Sequence, residues 1–568
     1  MLEFLSLLRQ RYHVVLNSNP HDAHNYQQTY EQLTLAQAFF RKGKMSATLP
    51  LQIAVIGPTQ AGKSSIVNVF LQSQNAGVSP LAGYTVHPQG FCHGIELTTC
   101  DALENYFAPF SKTSPEQLDS SRYDCYTLTK SKTTSSYLPP AVLWDTPDFD
   151  SIDSIEYREG MLKTIALADA IILVVSKEKY ADQAVWDMMK RIEPLRQPTL
   201  ICVNKLSEDA KAVILESLEE KWRDYRRDVF PEVIPLLYQK VTQAPEIQTT
   251  QRHVLFDLVK KIQREKQHRR EQKLLQMHWQ EWTKPLRAEH EIYQVWQQLV
   301  NETIQQALDD YERDYLNHPR HYETFQQAIA ELLLLLEIPS VAKVMMSARK
   351  VLLYPLKQLR RLGRSRTQMQ RSHEMTVLTQ LLNHTLTELA HQLLDKNAQP
   401  LWRDLSEQLR HHRAVILQEF NQAAENYHHT FQQDVEHAAQ GLYHKLEEQP
   451  MVLNTLRATR VTADAAVLAI TLYTGGIGLQ DLVIAPAMLT LTNLLTESAI
   501  GSYMNKVESD LKAQQLASVK EHLFAQLAQR LHALPNHIKT ETHFGISPEQ
   551  LAAVETKFEE KPHGLRLL

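Results

Sequence analysis

No segment constrains this chain more than Leu51–Ser65, which reads Leu-Gln-Ile-Ala-Val-Ile-Gly-Pro-Thr-Gln-Ala-Gly-Lys-Ser-Ser. An apolar run, a tight turn and a helix start follow one another, and the turn matches G-x-x-x-x-G-K-[ST]. Gly57 and Gly62 let the backbone turn and approach a phosphate with no Cβ in the way. Successive N–H groups then form an anion-binding nest at a helix N-terminus. Lys63 can reach the β- and γ-phosphates of a nucleotide, and the Ser64 hydroxyl can ligate Mg²⁺. The candidate phosphate-binding set is Gly57, Pro58, Thr59, Gln60, Ala61, Gly62, Lys63, Ser64 and Ser65.

A chain of 568 residues implies several units rather than one domain. Its 43% hydrophobic and 22% charged residues allow large cores. The net charge of −5 gives no bulk attraction to nucleic acid, so any basic site must be local. Cys92, Cys100, Cys125 and Cys202 form no C-x-x-C pair and no zinc spacing. They fit buried structural thiols in a reducing compartment, and a cytoplasmic chain is expected. The opening residues are too short and too quickly charged for a signal peptide. The 25 histidines show no H-E-x-x-H spacing and read as solvated helix faces.

Residues 1–49 read as polar helices, expected to pack on the helical region, because a helix this polar is weak alone. Residues 50–245 alternate strand-like and helix-like runs, the pattern of an α/β domain with a mostly parallel sheet. From residue 161 to 440 the only glycine is Gly363. Within 246–455, Ile292, Val295, Trp296, Leu299, Ile304, Leu308, Tyr311 and Tyr315 form an apolar stripe near period 3.6, which predicts a long all-α bundle or stalk. An apolar hairpin over 456–504 and terminal helices over 505–568 complete the plan. Ser547-Pro-Glu-Gln550 reads as a capping box opening the last helix.

If the loop belongs to a guanine-nucleotide hydrolase, further motifs should follow in order. Thr85 lies 22 positions beyond Lys63, where a threonine could place its hydroxyl on Mg²⁺ and its N–H on the γ-phosphate. Ala141-Val-Leu-Trp-Asp145 is a hydrophobic strand ending in an aspartate, the form that holds Mg²⁺ through water. The usual continuation is D-x-x-G. Here Asp148 replaces the glycine; its N–H could still reach a γ-phosphate, although a carboxylate there is electrostatically awkward. Phe149 stands where many small GTPases carry a water-orienting glutamine, so slow hydrolysis is expected. Thr199-Leu-Ile-Cys-Val-Asn204-Lys205-Leu-Ser207-Glu-Asp209 resembles N-K-x-D, the guanine-reading motif, with Ser207 in the place of the aspartate and Asp209 two residues later. Serine cannot accept the bidentate pair of hydrogen bonds an aspartate takes from guanine.

In this series the chain resembles the translation-factor-type GTPase superfamily, in its Era-like and bacterial dynamin-like branches. Gly57–Ser65 resembles their phosphate loop. Potassium-activated members carry asparagine at the position of Gln60, and dynamins carry glutamine and serine at those of Thr59 and Gln60. Neither arrangement is reproduced. The 82 positions between Lys63 and Asp145 imply an insertion around 96–138. The resemblance implies GTP and Mg²⁺ as ligands, Lys63 and Thr85 in catalysis, Ser64, Thr85 and Asp145 at the metal, and Asp148, Asn204, Lys205 and Asp209 at the nucleotide.

Two features of the helical half point outward. Lys343–Arg366 carries eight basic residues and no acidic one, interleaved with apolar residues. Such a segment suits an anionic membrane surface, and equally a solvated face of a bundled helix, with nucleic-acid contact a lesser third option. Ala465–Leu479 and Leu482–Leu495 are uncharged arms of 15 and 14 residues joined by Gln480-Asp481. A spanning helix needs about 20 residues. The arms read either as a hairpin dipping into the inner face of a membrane or as one buried in the bundle. The leading expectation is a slow GTPase switch at the inner membrane, passing between GTP and GDP and meeting a second protomer through its G domain or its bundle. The alternatives are a nucleotide-binding scaffold with little turnover and an Era-like ribosome-assembly GTPase; the absence of a recognisable RNA-binding module and the near-neutral charge count against the last.

Overall fold

The computed structural model describes residues 1–18, 23–73, 76–77, 85–119, 121–150, 155–237, 253–318, 321, 354–396, 399–448, 501–538 and 541–559. In chain order these form α1 (Leu2–Ser18), α2 (Ala23–Met45), β1 (Gln52–Ile56), α3 (Lys63–Leu71), β2 (Gln89–His93), α4 (Ala102–Phe107), β3 (Ser111–Lys112), β4 (Cys125–Lys130), β5 (Ala141–Asp145), α5 (Ile155–Leu167), β6 (Ala170–Ser176), α6 (Gln183–Ile192), β7 (Thr199–Leu206), α7 (Lys211–Tyr225), β8 (Glu232–Leu237), α8 (Val254–Lys260) and α9 (Gln267–Tyr311). Then follow α10 (Tyr354–Leu394), α11 (Pro400–Glu447), α12 (Gly501–Val519), α13 (Ala525–His532) and α14 (Pro548–Glu559). The chain divides into two compact units, Met1–Ala288 with Thr540–Leu568, and Glu289–Lys539.

The first unit is built on an eight-stranded sheet of order β3-β4-β2-β5-β1-β6-β7-β8. Only the β2–β5 pair is antiparallel. Strands β1, β5 and β6 are buried along their whole length. Their near-continuous apolar sequence is what a parallel strand covered on both faces requires. The insertion expected around 96–138 supplies α4, β3 and β4, and β4 extends the sheet beyond β2.

The two N-terminal helices were expected on the helical region. They pack instead largely against the sheet domain, as well as on the front of α9. Glu31 of α2 meets Arg158 of α5 and Arg191 of α6, and Arg9 of α1 meets Glu159 at 3.0 Å. Tyr12 donates to the Trp282 carbonyl at 2.9 Å. The physical reason is charge placement: the polar faces of α1 and α2 find partners on α5 and α6. The unit therefore extends beyond the expected 50–245. It takes in the first turns of α9 and the C-terminal segment, where Arg11 donates to the Phe544 carbonyl at 2.6 Å and Arg287 meets Glu555 at 2.8 Å. The capping box forms as read: the Gln550 N–H donates to Ser547 Oγ at 3.3 Å, and the Ser547 N–H to Gln550 Oε1 at 3.1 Å.

Among its described residues the second unit is built of helices alone. Its core holds Trp296, Val300, Leu382, Leu386, Leu405 and Leu531, with Trp296 on the stripe read from sequence periodicity. A buried polar node sits inside it: Glu374 accepts from Tyr311 at 2.8 Å and Gln515 at 3.0 Å and faces His428 Nδ1 at 2.9 Å. Residues 343–353 of the basic segment and 456–500 of the apolar hairpin lie outside the described residues. Among the described residues no helix is long and apolar enough to cross a membrane.

One ionic node ties the N-terminal helices to the base of the sheet. Asp169, just before β6, takes Lys42 Nζ at 2.8 Å, the Arg264 guanidinium and the Gln52 N–H at 3.0 Å. Burial pushes its carboxyl up, but Lys42 and Arg264 outweigh burial and hold it below the usual carboxylate range. Removing one partner of a buried ion pair leaves an uncompensated charge. Asp169→Ala is expected to lower the unfolding free energy by about 3–5 kcal/mol in urea titration. A loss under about 1 kcal/mol, the surface-pair range, would contradict a structural role for this node.

Candidate functional site

The register of four strands assembles the site. Val55 lies opposite Asp145, Ile56 opposite Leu173, and Ser176 opposite Asn204. The C-terminal ends of β5, β1, β6 and β7 thus meet at one edge of the sheet, where ligands bind in open α/β folds. The turn after β1 needs its glycines. A Cβ on Gly57 would sit 2.2 Å from the Val174 carbonyl oxygen. Gly62 has φ +92° and caps α3, and a Cβ there would meet Asn204 Nδ2 at 2.2 Å.

Four of the expected side chains converge on this turn. Ser64 Oγ donates to Asp145 Oδ2 at 2.6 Å and lies 3.4 Å from Thr85 Oγ1. Lys63 donates to the carbonyls of Gly57 at 3.2 Å and Pro58 at 3.4 Å. Asp145 is fully buried, and its second oxygen, Oδ1, has no hydrogen-bond partner. A buried, unpartnered carboxylate oxygen beside two hydroxyls is a donor set suited to a hydrated Mg²⁺, a hard cation that keeps several waters and borrows phosphate oxygens. Among the described residues, no group of three or more His, Cys, Asp or Glu could hold a metal by itself.

The remaining expected residues behave less uniformly. Asp148 forms an ion pair with Lys63, both buried, so the lysine is neutralised within the chain. Phe149 is turned into the hydrophobic core at 8% exposure, away from any water-orienting role. Asn204 donates from Nδ2 to the Ala61 carbonyl at 3.0 Å, and Lys205, at φ 57°, donates to the Gln60 carbonyl at 2.9 Å. These two residues brace the back of the phosphate loop. Asp209 is exposed on a short 3₁₀ turn, Glu208–Ala210, with Ser207 preceding it.

One contact escaped sequence reasoning. Asp150 Oδ1 accepts from both the N–H and the hydroxyl of Thr59, each at 2.6 Å, while Oδ2 meets Lys179 at 3.1 Å. Burial pushes the Asp150 carboxyl up, yet these donors hold it below its ordinary value. Nothing in the sequence pairs Asp150 with Thr59, 91 positions apart. The acid's nearness to Asp148 was the only signal available.

The fold and this loop define a P-loop GTPase domain, fused to a long helical region. Residues 52–205 match the family model described as 50S ribosome-binding GTPase. No curated protein matches the chain. Two solved structures similar to it are described as an oligomerised bacterial dynamin pair providing a mechanism for long-range sensing and tethering of membranes. The first is 11% identical with a TM-score of 0.42, covering 88% of this chain and 91% of that one. The second is 11% identical with a TM-score of 0.41, covering 99% and 95%.

Burial pushes the Asp145 carboxyl up to about 6; the Ser64 hydroxyl and Lys63 pull it down, Asp148 pushes it up, and Thr85 pulls it down. An unfolded aspartate titrates near about 4. Between about 4 and 6 the folded state therefore holds the extra proton, and this group's contribution to stability falls as pH rises through that window. Asp145→Asn should flatten that part of the stability profile, by on the order of 3 kcal/mol relative to wild type. The check is unfolding free energy against pH; parallel profiles for the two proteins would contradict the assignment.

Proposed function

We propose that the chain is a GTP-dependent switch that binds GTP with Mg²⁺, hydrolyses it slowly and acts at an anionic membrane surface. The observation that carries the nucleotide reading is the convergence of Lys63, Ser64, Thr85 and the orphaned Asp145 oxygen on a glycine-framed turn. Ser64, Thr85 and, through water, Asp145 would hold the metal ion, which supplies charge neutralisation between the outer phosphates. The loop N–H groups and Lys63 bind the phosphates and stabilise charge developing on them during water attack. Asn204 and Lys205 line the base side, with Asp209, two residues beyond Ser207, as the acid for guanine. Phe149 carries no proton acceptor and faces the core, so no side chain from that position orients the attacking water; slow turnover follows.

The same Lys63–Asp148 pair favours a second reading, a nucleotide-binding scaffold with little turnover. Single-turnover hydrolysis separates the two. The switch reading expects measurable GTP cleavage above the uncatalysed rate, while the scaffold expects bound nucleotide and none. Labelled GTP should be displaced by GTP and GDP but not by equal ATP. Lys63→Ala should weaken binding by about tenfold or more, since a charge-assisted phosphate contact is lost. Unchanged affinity in that variant would refute the site.

The membrane part rests on sequence. Eight basic residues in Lys343–Arg366 and the apolar arms of 461–504 supply charge and apolar surface on one chain. Each basic residue near an anionic surface contributes about 1 kcal/mol. On this reading the protein works in the cytoplasm, at the inner membrane, with a second protomer meeting its G domain or bundle. Co-sedimentation with phosphatidylserine vesicles should be stronger with GTP than with GDP and should be lost on deleting 461–504. Equal sedimentation of the intact and deleted chains would contradict it.

A further inference from the structure

We infer that Asp148 and Asp150 form an acidic latch over the phosphate loop, and that this latch sets how strongly the site prefers a nucleoside triphosphate over a diphosphate. The inference rests on the nucleotide reading above and concerns the three residues after the Asp145-Thr-Pro turn.

Lys63, 4% exposed, is the only cation paired with Asp148 among the described residues. Its ammonium has three protons, and it donates to the Gly57 carbonyl, the Pro58 carbonyl and Asp148. Two residues on, Asp150 takes both the N–H and the hydroxyl of Thr59, another member of the same turn. Its other oxygen is fixed by Lys179, which Asp182 also contacts at 3.3 Å. Between the two acids, Phe149 is anchored in the core. The pattern is acid, apolar anchor, acid, with each acid seated on a different residue of the loop.

An anion placed on a buried ammonium does the same electrostatic work as a bound phosphate. A diphosphate brings its last phosphate to the loop and can share Lys63 with Asp148. A triphosphate adds a further phosphate and further negative charge next to the same carboxylate. Like charges in a site shielded from water repel strongly, because the local dielectric is low. The triphosphate therefore has to displace Asp148, and the short Asp148–Asp150 link carries that displacement to the Thr59–Asp150 contact. A glycine, the residue usual at this position, would impose no such requirement. The acid at position 148 thus acts as a specificity-determining residue, and Asp150 as a positioning residue acting through it.

The test is calorimetric titration of the full chain with Mg²⁺ and either GDP or a non-hydrolysable GTP analogue. Asp148→Asn keeps the side chain's size and removes its charge. It should raise the ratio of triphosphate to diphosphate affinity by about tenfold or more. Asp150→Ala frees the second seat without touching Lys63 and should shift the ratio in the same direction by a smaller factor, about threefold. Thermal unfolding reports whether each variant is folded; if Asp148→Asn is not, Asp150→Ala decides alone. An unchanged ratio, or a shift toward GDP, in a folded variant overturns the latch while leaving the nucleotide site standing. Failure of the wild type to bind either nucleotide overturns the site and the latch together.

Discussion

The structure depends first on the register of β5, β1 and β6. These strands are buried on both faces, so each apolar side chain has one layer to enter, and a slip of one residue would invert the whole set. Val55 opposite Asp145 and Ile56 opposite Leu173 follow from that constraint. The register brings Asp145 level with the start of the phosphate turn, and the turn in turn places Ser64 on it. Gly57 is then forced by the Val174 carbonyl of β6, and Gly62 by Asn204 of β7. The site is the place where four strand ends leave no room for side chains on two residues.

The far end of the sheet is held by a different kind of interaction. Asp169 gathers Lys42, Arg264 and a β1 amide, joining the N-terminal helices, the sheet and the segment before α9. A buried carboxylate shared by two cations is costly to desolvate and holds only where every partner is in place. It therefore selects one arrangement of those elements more than it strengthens it. In the all-helical unit Glu374 does comparable work, with Tyr311, Gln515 and His428 arriving from separate helices.

The α/β domain was legible because its signals are local. Continuous apolar runs gave β1, β5, β6 and β7, and the phosphate-loop pattern located the site. The spacing from Lys63 to Asp145 foretold an insertion, although not that β4 would extend the sheet edge. The long helices were legible from the stripe containing Trp296, Ile304 and Leu308. The placement of α1 and α2 was not, because it is decided by partners such as Glu31–Arg158 and Arg9–Glu159, more than a hundred residues apart in sequence. For the same reason Asp148 was recognised as out of place but not as the counter-ion of Lys63, and the Asp150–Thr59 contact left no trace. Sequence motifs report what a site does with its ligand; they are silent on which of its own groups fill the ligand's place beforehand.

On the proposed reading, Lys63 exchanges an internal carboxylate for the outer phosphates of GTP. A crystal structure of the chain with Mg²⁺ and a non-hydrolysable GTP analogue tests it most directly. In that complex the phosphates should lie on the Gly57–Ser65 turn, with Ser64 and Thr85 at the metal, Lys63 on the outer phosphates and Asp148 withdrawn from Lys63. A triphosphate bound with the Lys63–Asp148 pair intact, or bound away from this turn, would contradict it.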